Sequence, residues 1–492
     1  MLKVFESLKK KDENAINEYA LSSDVLMEMA AKGVAEKIIE IAYSNEPFYQ
    51  DLLDGFFYNI AYKKTVIIVC GPSDNGGDGL ALSRLLQDYF CIITVLPYLP
   101  KSQMCILQKK RLDLLSIDVN EGMACHEVLK NKTADILVDA VFGTGFAGDM
   151  RKEYQDLLEE MNQLKALKIA LDVPSGLDIL GVPSSCFRAD ITICIGALRT
   201  QLYSSLAKDY IGHIVLKRLP LPVKKYEADA DIFLLEKSDM HLPYRKVHNV
   251  NKGSFGSVAV MQGERKGASQ LVAKAALTFG AGLVTLVGKD VSIFMPDLME
   301  SQDIPDGITC IAMGSGAGRE NKWLLDKFLL YVEAHSDVSL VLDADICYYD
   351  EVASLLRENR HMVCTPHPKE FQSLLRIAMG MELSIEEIRR DKLALMRAFC
   401  KKHPHAVLLL KDSNSFIGYG KTIFINDKGS PALAKAGTGD VLTGLIASLL
   451  SQGYEPLQST ITASLSHALV ASAEPESYSL LASTLIEKIA CM

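Results

Sequence analysis

Apolar and polar positions along this chain follow two alternating periodicities. Short apolar or β-branched runs such as TVIIVC (65–70), CIITVLPY (91–98) and KIALDVP (168–174) predict buried strands. Segments with helical spacing lie between such runs, for example LALSRLLQDYF (80–90) and RKEYQDLLEEMNQLKAL (151–167). The alternation predicts α/β architecture, with a parallel sheet covered by helices on both faces. Near the start, apolar residues recur at helical spacing and predict one helix over residues 14–42.

The pattern breaks between residues 217 and 246. This stretch has three prolines and many charges without periodicity, which predicts the last strand of one domain and the crossing to the next. Alternation then restarts with runs such as GSVAVMQG (256–263), and a helix-rich tail follows from Thr438. We therefore predict a first domain over 1–217, a linker over 218–244 and a second domain over 245–492.

Composition supports two globular domains. A chain of 492 residues is longer than a single hydrophobic core usually accommodates. Its content of 49 % apolar and 23 % charged residues is typical of globular proteins. The net charge of −9 argues against nucleic acid or an anionic membrane as partner, and no apolar run is long enough to span a bilayer. Eleven dispersed cysteines without a CxxC pair, and an N-terminus without a signal-peptide core, predict a cytoplasmic protein with reduced thiols.

A glycine-rich segment, GPSDNGGDG (71–79), follows the first predicted strand. A helix starting near Leu80 would direct its free N–H groups into this loop, which is a site for phosphate. A tight turn is the alternative, because Asn-Gly is a common turn dipeptide. Two more predicted strand ends favour a ligand site: VDAVFGTGFAG (138–148) has Asp139 and LDVPSGLD (171–178) has Asp172. Carboxylate, amide, hydroxyl and carbonyl oxygens that converge there also suit a hard cation.

These motifs resemble, in order and spacing, the epimerase domain of NAD(P)H-hydrate repair proteins, over about residues 10–217. LMEMAAKGVAEKI (26–38) resembles the helix that opens that domain. The resemblance implies a Rossmann-like three-layer fold, a bound hydrated dinucleotide and a potassium ion. It gives Asn75, Asp139 and Ser175 as potassium ligands, and Asp172 as the acid or base facing the hydrated ring.

The resemblance also implies a dinucleotide cradle built from the glycine-rich segments and Asp172. Its residues would be Asp74, Asn75, Gly76, Gly77, Asp78, Gly143, Thr144, Gly145, Phe146, Ala147, Gly148, Asp149 and Asp172. Two positions depart from the family pattern. Asp74 replaces an asparagine and adds negative charge near phosphate, and Arg199 replaces a lysine, so a planar fork replaces a point donor.

A second glycine-rich turn, Gly437 to Gly439, leads into a predicted helix with Asp440 in its first turn. The helix N-terminus can stabilise charge on a phosphoryl group, and a carboxylate there can accept a proton from an attacking hydroxyl. The alternative is an N-terminal capping aspartate on a packing helix. The GTGD sequence resembles the anion hole of ribokinase-like kinases, and its surroundings resemble the dehydratase domain of the same repair family, over about 245–480.

This second resemblance also includes HNVNKGSFGSVAVMQG (248–263), LDAD (342–345) and TPHPKE (365–370). It implies that Asp440 is the catalytic base and contacts the hydrate in a pocket lined by Ala275, Gly316 and His367. The implied nucleotide-binding residues are Lys411, Asp412, Ser413, Asn414, Ser415 and Gly439. Departures from the pattern are GSGAG at 314–318, Lys369 in place of glycine, and Ser415 in place of threonine.

The two resemblances imply one repair activity on NADHX and NADPHX, the hydrated forms of NADH and NADPH. The first domain would exchange the R and S epimers, and the second would phosphorylate the ring hydroxyl of the S epimer with ADP or ATP and Mg²⁺. Loss of phosphate would then restore the dihydropyridine, and bacterial members suggest ADP as donor, giving AMP. We expect a homo-oligomer with no nucleic-acid or membrane partner.

Two other functions fit parts of the sequence. A ribokinase-like small-molecule kinase with a non-catalytic nucleotide-binding accessory domain would share the GTGD turn but release a stable phosphate ester. A protein whose first domain senses or scaffolds, without epimerase activity, would be compatible with Asp74, although Asn75, Asp139, Asp172 and Ser175 favour an intact site.

Overall fold

The computed structural model describes residues 1–46, 49–50, 63–122, 124–293, 295–358, 360–474 and 478–492. It divides into two compact units. The N-terminal unit is Lys3–Ala230, and the C-terminal unit is Asp231–Met492 together with Met1–Leu2. The boundary between Ala230 and Asp231 falls inside the segment 218–244 that we expected to be a linker, so that segment is divided between the two units.

Parallel strands organise the N-terminal unit. They are β1 Leu2–Phe5, β2 Thr65–Cys70, β3 Cys91–Leu96, β4 Val119–Glu121, β5 Ile136–Ala140, β6 Leu167–Leu171, β7 Ile191–Ile195, β8 Leu198–Arg199 and β9 His213–Lys217. Among the described residues, the main sheet has the order β4-β3-β2-β5-β6-β7-β9, and β1 pairs separately with β8. Alternate residues of β2 face opposite layers: Val66 and Ile68 join one apolar cluster, Ile67 and Val69 another. Helices therefore cover both faces, as predicted.

The helices of this unit include short and long elements. They are α1 Lys9–Asn17, α2 Ser23–Tyr43, α3 Asp74–Leu85, α4 Gln103–Leu114, α5 Ala124–Asn131, α6 Lys152–Gln163, α7 Lys208–Ile211 and α8 Val223–Tyr226. The single helix predicted over 14–42 is wrong, because α1 ends before α2 begins. Ala20 has φ of +54°, a left-handed conformation that interrupts a helix, and the Ser22 side chain caps α2 by accepting the Val25 N–H.

The C-terminal unit has a mixed sheet. Its strands are β10 Ile232–Leu234, β11 Ser257–Met261, β12 Leu283–Val287, β13 Met299–Ser301, β14 Cys310–Met313, β15 Ser339–Leu342, β16 Met362–Cys364, β17 Ala406–Leu410, β18 Ser415–Tyr419 and β19 Thr422–Asn426. Their order within the described residues is β13-β12-β11-β14-β15-β16-β17-β18-β19-β10. The strands β17, β18 and β19 pair antiparallel, and the other neighbours pair parallel.

The helices of the C-terminal unit follow most of its strands. They are α9 Lys266–Thr278, α10 Lys322–Ala334, α11 Val352–Leu355, α12 Pro368–Leu374, α13 Ile385–Arg390, α14 Lys392–Lys402, α15 Thr438–Ser451, α16 Pro456–Ser472 and α17 Ala482–Ile489. Helices α9 and α15 pack tightly, since a Cβ on Gly444 would lie 2.7 Å from the Ala275 methyl. Within the described ranges, no helix combines the length and the apolar character needed to cross a membrane.

Candidate functional sites

A cavity of about 680 Å³ opens at the carboxyl ends of the strands of the N-terminal unit. Ligands of parallel α/β sheets bind at this edge. The structure brings many of the predicted cradle residues to its wall. They are Asp74, Asn75, Asp78, Gly143, Thr144, Gly145, Phe146, Ala147 and Asp172.

The glycines of the first motif have a packing role. Helix α3 begins at Asp74, so the start predicted near Leu80 is wrong, and residues 74–79 of the motif form the first turns of the helix. A Cβ on Gly76 would lie 1.8 Å from the Gly71 carbonyl oxygen, and one on Gly79 would lie 2.7 Å from the Ala140 Cβ. The missing side chains therefore allow α3 to pack closely on the strand ends.

Four predicted cradle residues do not line the cavity. Gly76 and Gly77 are buried in packing contacts, and a Cβ on Gly77 would lie 2.9 Å from the Met27 terminal methyl. Gly148 and Asp149 are exposed beyond the cavity wall, and Gly148 has φ of +82°. The predicted cradle residues that do line the cavity therefore come from the start of α3, the loop after β5 and Asp172.

An ion pair lies at one side of the cavity. The Arg199 guanidinium, at the end of β8, donates to the Asp172 carboxylate, and both side chains are buried. Asp172 follows β6 with φ of +67°, a left-handed backbone conformation, and lines the cavity. Burial alone would lower the pKa of Arg199, but the Asp172 charge raises it above its ordinary value. Sequence reasoning noted Arg199 only as a departure from the family.

Two further polar residues of this wall were missed. The Tyr226 hydroxyl donates to the Asp12 carboxylate over 2.6 Å, and both residues line the cavity. Burial raises the pKa of both groups. Asp12 belongs to α1 and Tyr226 to α8, outside the motifs, so only the folded chain brings them to the site.

The three predicted potassium ligands lie at neighbouring strand ends. Asp139 is fully buried and accepts from the Ser175 hydroxyl (2.6 Å), the Ser175 N–H (2.8 Å) and the Val141 N–H (3.1 Å). Burial raises the pKa of Asp139 to about 6. Asn75 is buried beside Gly143, and its Nδ2 has no hydrogen-bond partner in the described part of the chain.

In the C-terminal unit, Asp440 lies in the first turn of α15, as predicted. The helix begins after Gly437, whose φ of +90° suits glycine. Asp440 is half-buried, and burial, followed by the negative charge of Asp343, raises its pKa to about 6. Ser315, in the loop after β14, lies near enough to lower that pKa, yet its hydroxyl has no hydrogen-bond partner among the described residues.

A buried ion pair lies beside Asp440. The Lys411 ammonium is 2.6 Å from the Asp343 carboxylate, which also accepts the Thr443 hydroxyl over 2.8 Å. Asp343 follows β15 and Lys411 follows β17, so the parallel strands bring the pair to one edge. A Cβ on Gly439 would lie 3.6 Å from the Lys411 Nζ, which places the turn directly against this cation. Asp343 and Thr443 were not predicted as site residues.

The other predicted nucleotide residues follow Lys411 in the turn between β17 and β18. Asp412 pairs with the buried Lys392 ammonium over 3.0 Å and accepts the Ser413 N–H over 2.9 Å. Asn414 is buried, and Ser415 begins β18. Asp412 therefore contributes to the structure of the turn itself.

The three predicted pocket residues have different surroundings. Ala275 is fully buried in the apolar core between α9 and α15, so its side chain does not line an open pocket. Gly316 has φ of +68° and its carbonyl accepts the Arg265 N–H over 3.0 Å. His367 remains partly exposed at the start of α12.

His367 caps its helix through Nδ1, which accepts the N–H groups of Lys369 (3.1 Å) and Glu370 (3.2 Å), so the proton of the neutral ring is on Nε2. The Glu370 carboxylate completes the cap by accepting the His367 backbone N–H over 2.8 Å, and it lies 3.0 Å from Nε2. Burial lowers the pKa of His367 and raises that of Glu370 to about 7. Lys369 occupies an ordinary helical position, and the capping box stays intact without the glycine of the family pattern.

Two family models match separate parts of the chain, one in each unit. A family model described as NAD(P)H-hydrate dehydratase matches residues 258–491, and one described as YjeF-related protein N-terminus matches residues 23–201. Among solved structures, the ADP/ATP-dependent NAD(P)H-hydrate dehydratase of Bacillus subtilis crystallised with ATP and Mg²⁺ is 21 % identical, with a TM-score of 0.42, and covers 50 % of this chain and 91 % of its own.

Curated relatives are similar over both units. The bifunctional NAD(P)H-hydrate repair enzyme of Helicobacter pylori is 38 % identical and covers 99 % of each chain. The enzyme of the same name from Coxiella burnetii is 30 % identical over 79 % of this chain and 81 % of its own. The resemblance carried by the motifs is confirmed over nearly the whole length, and the chain belongs to the family of bifunctional NAD(P)H-hydrate repair enzymes, a dehydratase joined to an epimerase.

Proposed function

We propose that the cavity of the N-terminal unit exchanges the R and S epimers of NADHX and NADPHX. The C-terminal unit then dehydrates the S epimer, using ADP or ATP. In the terms of the sequence prediction, residues 1–217 carry the epimerase and residues 245–492 the dehydratase. The observation that carries the proposal is the pairing of two built acid sites, one per unit, in a chain that belongs to the repair family.

In the N-terminal unit, the hydrated ring lies against Asp172 and Arg199. The ion pair fixes the Asp172 carboxylate in place and keeps a negative charge beside the ring, where it favours a cationic nitrogen. The loop 143–147 and the start of α3 hold the rest of the dinucleotide.

The donor set of Asn75, Asp139 and Ser175 fits a potassium ion. It has one buried carboxylate, one hydroxyl and an amide whose Nδ2 has no partner among the described residues, and a 180° rotation of that amide would present its oxygen. One carboxylate beside two neutral oxygen donors is a weakly charged set, which favours a monovalent over a divalent cation. Bound potassium would supply charge that keeps Asp139 ionised and orders the loop after β5.

In the C-terminal unit, Asp440 accepts the proton of the ring hydroxyl as that oxygen attacks the terminal phosphoryl group of the nucleotide. Its pKa of about 6 leaves it ionised at neutral pH and able to act as a base. The N–H groups at the start of α15 and the Lys411 ammonium stabilise the transferred group. The lone pair of the ring nitrogen then expels phosphate and forms a carbon–nitrogen double bond. Loss of one proton from the adjacent ring carbon to solvent restores the dihydropyridine.

The same site fits Mg²⁺ carried by the nucleotide. Asp343 and Asp345 are close enough to Asp440 to act on its charge, and magnesium bound through substrate phosphates needs only one or two carboxylates. Bound Mg²⁺ would supply charge neutralisation on the donor phosphates. Lys411, Ser413, Ser415 and the Gly439 turn would hold the nucleotide.

The test uses the full chain with acid-generated NADPHX, Mg²⁺ and either ADP or ATP. We expect recovery of dihydropyridine absorbance, release of one inorganic phosphate per coenzyme restored, and consumption of both epimers. Recovery of a stable phosphate ester without restored coenzyme would contradict the proposal. Consumption of the S epimer alone would contradict the epimerase half of it.

A further inference from the structure

Asp78 is a cavity carboxyl to which the proposed reaction has so far given no chemical role. It lies in the second turn of α3 and lines the cavity together with Asp12, Asp74 and Asp172. Among the described residues that line the cavity, Arg199 provides the only positively charged side chain. Four carboxyl groups therefore share one guanidinium.

The neighbouring groups satisfy these carboxyls unequally. Asp172 binds the Arg199 guanidinium, Asp12 accepts the Tyr226 hydroxyl, and Asp74 is exposed to solvent. No group among the described residues donates a hydrogen bond to Asp78. A carboxylate without donors beside other negative charges is the least stable of the four, so Asp78 is the carboxyl that keeps its proton.

The electrostatic balance agrees with this arrangement. Burial, then the charges of Asp172 and Asp74, raises the pKa of Asp78 well above its ordinary value, and the opposing charge of Arg199 does not cancel them. Two acids whose surroundings separate their proton affinities are the usual basis for an acid and base pair. Here Asp172 is paired with the Arg199 guanidinium, whereas Asp78 has no paired cation, and its surroundings favour its protonated form.

We propose that Asp78 is the general acid of epimer exchange, with the Asp172 carboxylate as the base. This assignment rests on the proposed epimerase function and deepens it. The O–H of Asp78 gives its proton to the ring hydroxyl while the carbon–oxygen bond breaks, and the ring nitrogen lone pair forms the carbon–nitrogen double bond. Water leaves, and the products are an iminium ring and an Asp78 carboxylate.

The second half of the exchange inverts the carbon. A water molecule adds its oxygen to the opposite face of the iminium carbon, and the electrons of the double bond return to nitrogen. The water loses one proton to Asp172, and transfer of that proton to solvent while Asp78 takes one up restores the starting state. The ring gains and loses one water, so no oxidant or co-reactant is needed.

The experiment compares the full chain with Asp78→Asn, Asp78→Glu and, as matched control, Asp88→Asn, an exposed acid just beyond α3. Chromatography follows conversion of pure R-NADPHX to the S epimer, with the uncatalysed rate subtracted, between pH 5 and 9. We expect Asp78→Asn to lose about 10²- to 10⁴-fold in rate, Asp78→Glu to recover part of it, and Asp88→Asn to match the parent. The parent rate should fall as pH rises through the pKa of Asp78, because only the protonated acid donates.

Binding separates a proton donor from a structural residue. Because asparagine has the charge of a protonated aspartate, Asp78→Asn should keep the parent affinity for R-NADPHX within about threefold, and its thermal unfolding should be unchanged. Exchange within threefold of the parent, or a joint loss of binding and exchange, would overturn the assignment. A parent chain that exchanges no epimers would instead show that the proposed epimerase function is wrong.

Discussion

The two glycine motifs lie at the N-termini of α3 and α15, and their glycines have different roles although the sequences are similar. At α3, close backbone packing leaves no room for side chains on the glycines. The nearby Asp78 carboxyl has no hydrogen-bond donor among the described residues and lies in a cavity with excess negative charge. At α15, Gly439 makes only an ordinary contact with Lys411, and Asp440 lies half-buried beside a neutralised ion pair. A glycine-rich turn before a helix therefore does not by itself indicate which groups touch a ligand.

The different surroundings at α3 and α15 also give Asp78 and Asp440 different chemistry. The surroundings of Asp78 raise its pKa well above the ordinary value and favour its protonated form, whereas the pKa of Asp440 is about 6, which leaves it ionised at neutral pH. One carboxyl is suited to donate a proton and the other to accept one. The same residue type thus serves opposite roles because of burial and neighbouring charge.

The largest expected effect comes from Asp440→Asn. Removing the base should lower nucleotide-dependent dehydration of S-NADPHX by about 10²- to 10⁴-fold, while R-to-S exchange by the N-terminal unit stays at the parent rate. Absorbance recovery measures the first activity and chromatography the second. Asp326→Asn, an exposed acid on α10, is the matched control and should dehydrate like the parent. Near-parental dehydration by Asp440→Asn would contradict the assignment of Asp440 as the base, and with it the contrast between Asp440 and Asp78.

A pair of glycine substitutions tests the packing difference directly. Gly76→Ala should destabilise the N-terminal unit by about 3 kcal/mol, because its Cβ would lie 1.8 Å from a backbone oxygen that cannot move alone. Gly439→Ala should change stability by less than about 1 kcal/mol, since its Cβ would lie 3.6 Å from a flexible ammonium. Thermal and urea unfolding of the full chain measure both. Equal losses would show that the two turns are packed alike.

The pH dependence of the two activities should run in opposite directions. Dehydration needs ionised Asp440, so its kcat/KM should rise with pH through about 6 and be about tenfold below its plateau at pH 5. Epimer exchange should be highest at low pH and fall as Asp78 loses its proton. The test is to measure both rates in one buffer series and to confirm separately that the enzyme is stable at each pH. Parallel profiles for the two activities would contradict the assigned roles.

The sequence predicted what depends on local pattern. Strand–helix alternation predicted the α/β units, and the GTGD turn predicted the start of α15 and the place of Asp440. It failed where tertiary packing decides. Helix α3 starts at Asp74 because its glycines let it pack closely against the backbone at the strand ends. The break before α2 depends on the left-handed conformation of Ala20 and on the Ser22 cap.

Site residues outside the motifs could not be predicted for a related reason. Asp12 and Tyr226 are 214 positions apart and meet only in the folded unit. Asp343 lies in the LDAD motif that carried part of the resemblance, but its pairing with Lys411 required the parallel register of β15, β16 and β17. The position of Asp343 directly after a buried strand could have marked it as a site residue. Its partner Lys411 follows a different strand, so the pairing is not visible in the sequence.

The smallest expected effect comes from Arg199→Lys, which restores the residue typical of the family. Lysine keeps the positive charge beside Asp172 but replaces the planar fork with a point donor, so epimer exchange should change by only about threefold. Arg199→Met provides the contrast, because it leaves the buried Asp172 charge unpaired and should destabilise the unit by about 3–5 kcal/mol. Chromatographic exchange rates and urea unfolding of the two variants measure these effects. If Arg199→Lys lost as much exchange activity as Arg199→Met, the planar guanidinium fork itself would be essential. Charge pairing with Asp172 would then no longer explain why Asp172 and Asp78 have different roles in the N-terminal site.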